Sequence, residues 1–187
     1  MKRKIFSLLL VAIMVVSTAC SGKNSGSGTD GSKDNVKNVP LADIQTAVKN
    51  AYGDDYMPGM PYDDTAMEEL FGVKKDWYEE YVAEGPMISA NVDTFIAVKA
   101  KEGSAEDVKK ALNDYRDKLI SDTMQYPSNM VKIQASQVVS YGNYVFFVML
   151  GMIPMEVEEQ GEEEMLKAFQ EQNQKAVTAI ESVLLDK

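Results

Sequence analysis

The chain has 187 residues, with 19 Lys and Arg against 29 Asp and Glu and a formal net charge of −10. That balance argues against nucleic acid as a partner and against electrostatic adhesion to anionic lipid. No His is present and only one Cys, which excludes Ser-His-Asp and Cys-His catalysis, His-based zinc sites and an intramolecular disulfide.

The N-terminus reads Lys2-Arg3-Lys4, then twelve mostly apolar residues from Ile5 to Val16, then Ser17-Thr18-Ala19-Cys20. A basic head, an apolar stretch and a small-residue cleavage site make a secretory signal peptide over residues 1–19. Twelve residues are too few for a permanent membrane-spanning helix. A cysteine directly after the cut resembles a bacterial lipobox, in which the thiol is diacylated with palmitate-type chains. Ser17 stands where that pattern prefers an aliphatic residue, and Ser17 with Ala19 also fits an ordinary signal peptidase. Two readings therefore stand, a lipid anchor at Cys20 or a free N-terminal cysteine. A lone exposed thiol in an oxidising compartment favours the anchor, and two acyl chains give stable attachment. Residues 20–39, rich in Ser, Gly, Asn and Lys, are expected to be a flexible tether. About 20 such residues have a root-mean-square reach of roughly 25 Å. Loss of residues 1–19 removes three basic residues and no acidic one, which takes the net charge from −10 to −13.

Residues 40–187 are expected to form one globular domain. Pro40 opens a helix with Leu41, Ile44, Val48 and Ala51 on one face, and Gly53 ends it. Residues 54–63 read as a loop. A short helix follows, with Asp64 or Thr65 as cap, Met67, Leu70 and Phe71 apolar, and Gly72 as the stop. Residues 77–89 combine helical spacing with β-type composition, and a strand is expected, with a bulge or break near Gly85-Pro86. Residues 92–100 read as a central strand. Ser104 caps a helix that runs to Met124 with Val108, Ala111, Leu112, Tyr115 and Leu119 as its buried stripe, and Tyr126-Pro127-Ser128 closes it. Residues 136–141 and 143–150 form a hairpin turning at Gly142-Asn143, its second strand apolar on both faces. The last helix starts near Gly161, with Met165, Phe169, Ala176, Val177, Ile180 and Val183 on one side. The expected fold is α+β in the order ααββαββα: a four-stranded, mainly antiparallel sheet of two hairpins with helices on one face.

The segment Met87-Ile88-Ser89-Ala90-Asn91-Val92-Asp93-Thr94-Phe95-Ile96-Ala97-Val98-Lys99, the helix from Ser104, Tyr126-Pro127 and Gly142-Asn143-Tyr144-Val145 together resemble a family of small Gram-positive bacterial lipoproteins built around a domain of unknown function. The resemblance covers residues 60–150. The family commonly carries an acidic pair after the serine-rich turn, from which Asp93-Thr94 departs in part. The resemblance implies a lipoprotein and brings no activity and no catalytic residues.

No S-x-x-K, G-x-S-x-G or Walker loop is present. Asp54, Asp55, Asp63 and Asp64 match no EF-hand spacing and read as acids of a solvated loop that cap neighbouring helices. Glu156, Glu158, Glu159, Glu162, Glu163 and Glu164 suit the start of the last helix. No metal, cofactor or catalytic residue is expected. Tyr56, Tyr62, Trp77, Tyr78 and Tyr81 are the candidate ligand-binding residues, since Tyr and Trp suit recognition surfaces, although the same types also pack helices on sheets. The expected protein is a non-enzymatic, extracytoplasmic lipoprotein on the outer face of the cell membrane. It is held in the lipid bilayer by acylated Cys20 and acts as a binding or accessory module for a protein, peptide or cell-wall partner. A structural envelope lipoprotein without a ligand, or a carboxylate-based hydrolase, are the alternatives.

Overall fold

The computed structural model describes residues 30–31, 36–122 and 124–186. The expected signal peptide, Cys20 and most of the expected tether lie outside the described residues. Of the rest of the tether, Asp30–Gly31 pairs in parallel with Ser140 and Tyr141, and Val36 bridges Leu185.

Helix α1 spans Leu41–Tyr52 and buries Leu41, Ile44, Val48 and Tyr52. Gly53 follows at φ 60°, a left-handed conformation that ends the helix cheaply for glycine. Strand β1 (Pro58–Pro61) lies within the expected loop. Its two prolines lack the ladder donor, so it is tolerated only as an edge, paired with strand β2 (Tyr78–Pro86). Helix α2 (Asp64–Glu69) is capped by Asp63, whose carboxylate accepts from Ala66 N at 2.9 Å, rather than by Asp64 or Thr65. Met67 and Phe71 are buried, while Leu70 is exposed.

Strand β3 (Thr94–Ala100) is the centre of the sheet. Helix α3 (Ala105–Ser121) buries Val108, Leu112 and Tyr115. Ser104 stands at its N-cap without a side-chain capping bond, and Glu106 and Asp107 supply the negative charge of the first turn. Pro127 does not close this helix. It opens another, α4 (Pro127–Ala135), because a proline at the first helical position costs no hydrogen bond. Strands β4 (Gln137–Tyr141) and β5 (Tyr144–Met149) form the expected hairpin, with Gly142 at φ 58°. A short helix α5 (Met155–Glu158) precedes α6 (Glu162–Leu184), which buries Met165, Phe169, Asn173, Ala176, Val177, Ile180 and Leu184.

The fold is mixed α+β, and its antiparallel sheet has five strands rather than four, in the order β4-β5-β3-β2-β1. The helices also occupy both faces, not one. On one face α1 and α6 pack on Phe95, Ala97, Val139, Tyr144, Phe146 and Val148. On the other, α2 and α3 pack on Ile96, Val98, Val138, Val145, Phe147 and Met149. All six residues of β5 are buried, so neither face of this strand can be left to water. Helix α4 joins the layers: Ile133 enters the α2/α3 side, while Val131 and Ala135 meet Met165 and Phe169 of α6.

Phe146 and Phe147 therefore fill different cores. Each truncation to Ala is expected to cost about 3–5 kcal/mol, and urea unfolding of the two single variants measures it. A near-neutral result for either would mean that one face is loosely packed.

Candidate functional site

Tyr78 and Tyr81 are three residues apart, which on a regular strand would put them on opposite faces. The register of β2 against β3 shifts between Tyr78↔Ala100 and Glu80↔Lys99. This bulge returns both rings to the α2 side, where they meet edge to face with centroids 5.2 Å apart. Both phenols donate to Asp64 Oδ1, from 3.3 Å for Tyr78 and 2.9 Å for Tyr81. Lys75 forms an ion pair with the other oxygen of the same carboxylate. Asp64, Lys75, Asp76, Tyr78, Tyr81 and Lys101 are among the residues that line an open depression of about 500 Å³. Half-buried Trp77 stands beside it with Lys74 Nζ 5.1 Å from its ring centre.

The electrostatics follow from this geometry. Hydrogen bonds from Lys75 and Tyr81 hold the Asp64 carboxyl below its usual range. Burial, and then donation to Asp64, push the Tyr81 phenol up to about 12. The cluster therefore presents a fixed carboxylate, an ammonium and the protonated Tyr81 phenol to solvent, with Tyr78 buried beneath them.

The other two expected residues lie elsewhere. Tyr62 packs edge to face on Phe71, centroids 5.0 Å apart, and its ring lies across Gly85, where a Cβ would overlap it. Tyr56 is on the opposite face of the sheet, against the α1/α6 core. Its phenol donates to Glu84 Oε2 at 2.9 Å, and Lys49 donates to Glu84 Oε1 at 2.9 Å. The structure thus brings Tyr78 and Tyr81 together on Asp64, leaves Trp77 and Tyr62 against the same core, and puts Tyr56 across the sheet from all four.

A second polar constellation was not foreseen. Asp93, fully buried, forms an ion pair with Lys132 of α4, which is also buried. Gly151 N donates to Asp93 Oδ1 at 2.9 Å, and Asn91 Oδ1 accepts from Asp93 N at 2.7 Å. Beside them Asn173 of α6 accepts from Leu150 N and donates to Ala135 O, both at 2.9 Å. Arg116 of α3 donates to the Gln134 and Ser136 carbonyls, at 2.9 and 2.8 Å. The last carbonyls of α4 are thereby satisfied from two other helices. Burial pushes the Asp93 carboxyl up against the opposing pull of Lys132, and burial pushes the Lys132 ammonium down. The available signal was a lysine on the apolar pattern of residues 130–135 and an aspartate at the mouth of an apolar strand. Among the described residues, no group of three or more His, Cys, Asp or Glu could hold a metal ion.

A family model described as a domain of unknown function (DUF4358) matches residues 51–150. The chain belongs to this family. The match takes in the whole five-stranded sheet and helices α2 to α4, and so includes the Asp64 cluster and the Asp93–Lys132 pair. Helix α6 and nearly all of α1, which cover one face of the sheet, lie outside it. No curated protein and no solved structure matches the chain.

Asp93→Ala and Lys132→Ala are each expected to cost about 3–5 kcal/mol, because each strands a buried charge. An apolar double replacement at both positions should cost less than the sum of the two, which a double-mutant cycle by chemical denaturation reads. Asp64→Asn should lower the Tyr81 titration from about 12 towards the ordinary phenol value of 10.0, as followed by tyrosine ultraviolet or NMR titration. The Asp64 carboxyl has a lower pKa folded than unfolded. Its contribution to stability is therefore present above the ordinary carboxylate range and lost as pH falls through the folded value. The Asn variant should lack that acid limb.

Proposed function

We propose that this DUF4358 protein is a bacterial lipoprotein, anchored on the outer face of the cell membrane through acylated Cys20, and that its domain is a binding or accessory module rather than an enzyme. The sequence of residues 2–20 carries the reading: a basic head, an apolar stretch too short to span a bilayer, and a single cysteine at the cleavage point. Among the described residues no helix is long and apolar enough to cross a membrane. The Asp64 carboxyl is held low and bonded to Lys75, Tyr78 and Tyr81, the state of a paired surface carboxylate rather than of a general acid. The alternative of a structural envelope lipoprotein draws on the aromatic residues being engaged with their neighbours: Tyr78 is buried and both phenols are bonded to Asp64.

Cys20→Ala is expected to abolish lipid labelling and release the protein from the membrane fraction into the medium. A mutant that still sediments with membranes as fully as the parent would overturn the anchor.

A further inference from the structure

Nine large hydrophobic side chains are exposed among the described residues, and six of them occupy three connections between the larger elements: Met87, Ile88, Met124, Tyr126, Met152 and Met155, the last at the start of α5. These loops share one end of the domain. Residues 87–93 lead into β3, whose first residue Thr94 pairs with Met149 at the end of β5. Gly151, just beyond β5, donates to Asp93, and Asn129 Nδ2 donates to Ala90 O at 3.0 Å. Between them lies a depression of about 490 Å³ lined by Ala90, Tyr126, Pro127, Ser128, Glu158 and Met165. An exposed apolar patch with a polar rim marks an interaction surface. Methionine suits it, being flexible and polarisable enough to adapt to a partner.

Charge selects the partner. Residues 87–93, 122–128 and 151–164 contain no Lys or Arg. Besides buried Asp93, which is paired with Lys132, they carry Asp122, Glu156, Glu158, Glu159, Glu162, Glu163 and Glu164, and the six glutamates are exposed. Such a rim repels anionic headgroups. It also repels its own copy in a two-fold pair, which would set this patch against itself. The chain enters the domain at the other end. Val36 lies over Gly142 in the β4–β5 turn, and Tyr144 Oη accepts from Val39 N at 2.9 Å. The six or seven residues of β5 and β3 put roughly 20 Å between the two ends.

We infer that the methionine-rich end is a docking surface for a basic amphipathic protein segment, with apolar side chains entering the loops and Lys or Arg meeting the glutamate rim. This names the partner class of the binding-module reading and rests on it. The test uses the full-length chain carrying Cys20→Ala, titrated with a synthetic amphipathic Leu/Lys helix by calorimetry. Saturable binding is expected. Met124→Ser with Met155→Ser should weaken it about tenfold or more, and Glu158→Lys with Glu159→Lys should do likewise. Leu70→Ser, on the α2 turn outside the loops, should leave it unchanged. Thermal melts of each variant report folding, and the charge-reversal pair keeps the test open if the methionine pair unfolds. Binding that is equal in all variants, or as sensitive to Leu70→Ser, would overturn the inference. So would patch-dependent flotation with phosphatidylglycerol vesicles, which would assign the surface to lipid, or patch-dependent dimerisation, which would assign it to a second copy. The titration gives the same readout whether or not Cys20 is acylated, so failure of the anchor and failure of the docking surface are read separately.

Discussion

The fold is governed by strand β5, in which Tyr144 to Met149 are all buried. Successive side chains of a strand point to opposite faces, so an apolar strand without a polar face must be covered twice. Phe146 and Val148 find that cover under α1 and α6, and Phe147 and Met149 under α2 and α3. The neighbouring strand β3 has the same character, with only Lys99 partly open to solvent. A three-layer arrangement is the simplest solution to this two-sided demand, and the short edge strand β1 completes the sheet where its prolines do no harm.

Two layers of helix around one sheet leave a closure problem at the end of its central strands, and the buried polar network meets it. Asp93, Lys132, Asn173 and the backbone of Leu150 and Gly151 fasten the mouth of β3, the end of β5, α4 and α6 to one another. Every buried side-chain polar atom among the described residues has a partner. This is the condition under which buried polarity favours one arrangement over its competitors rather than merely costing free energy. The network lies mainly within the family's matched segment, while Asn173 reaches it from α6 outside that segment.

The two ends and the two faces of the domain differ in chemistry. The β2 bulge gathers Tyr78, Tyr81, Asp64 and Lys75 into a polar cluster on the α2 side, where charge and donors are largely paired with one another. The loops after β2, α3 and β5 hold unpaired apolar surface under a purely acidic rim. Paired polar groups stabilise the domain they belong to. Exposed methionines with no cover of their own are the groups that gain by meeting something else.

The helices α1, α2, α3 and α6, most of their buried stripes, the strands β2 to β5, the Gly142-Asn143 hairpin and the two-sided burial of β5 were legible in the sequence, because each depends on local periodicity or turn chemistry; β1, α4 and α5 were not. The reading of residues 1–20 rests on the order of charged, apolar and small residues alone, and those residues lie outside the described ones. By sequence Pro127 reads as a stop and residues 58–61 as a loop, whereas Pro127 starts α4 and residues 58–61 form β1. Proline permits either outcome, and only the neighbouring elements decide which. Tyr56 fell in with Tyr78 and Tyr81 by sequence proximity, yet it lies across the sheet from them, since a chain that passes through a hairpin reaches both faces. The Asp93–Lys132 pair joins residues 39 apart, and the methionine loops come from three separate connections. Contacts of that kind carry no periodic signal along the chain. They exist only once strand register and helix packing have brought distant residues to the same place.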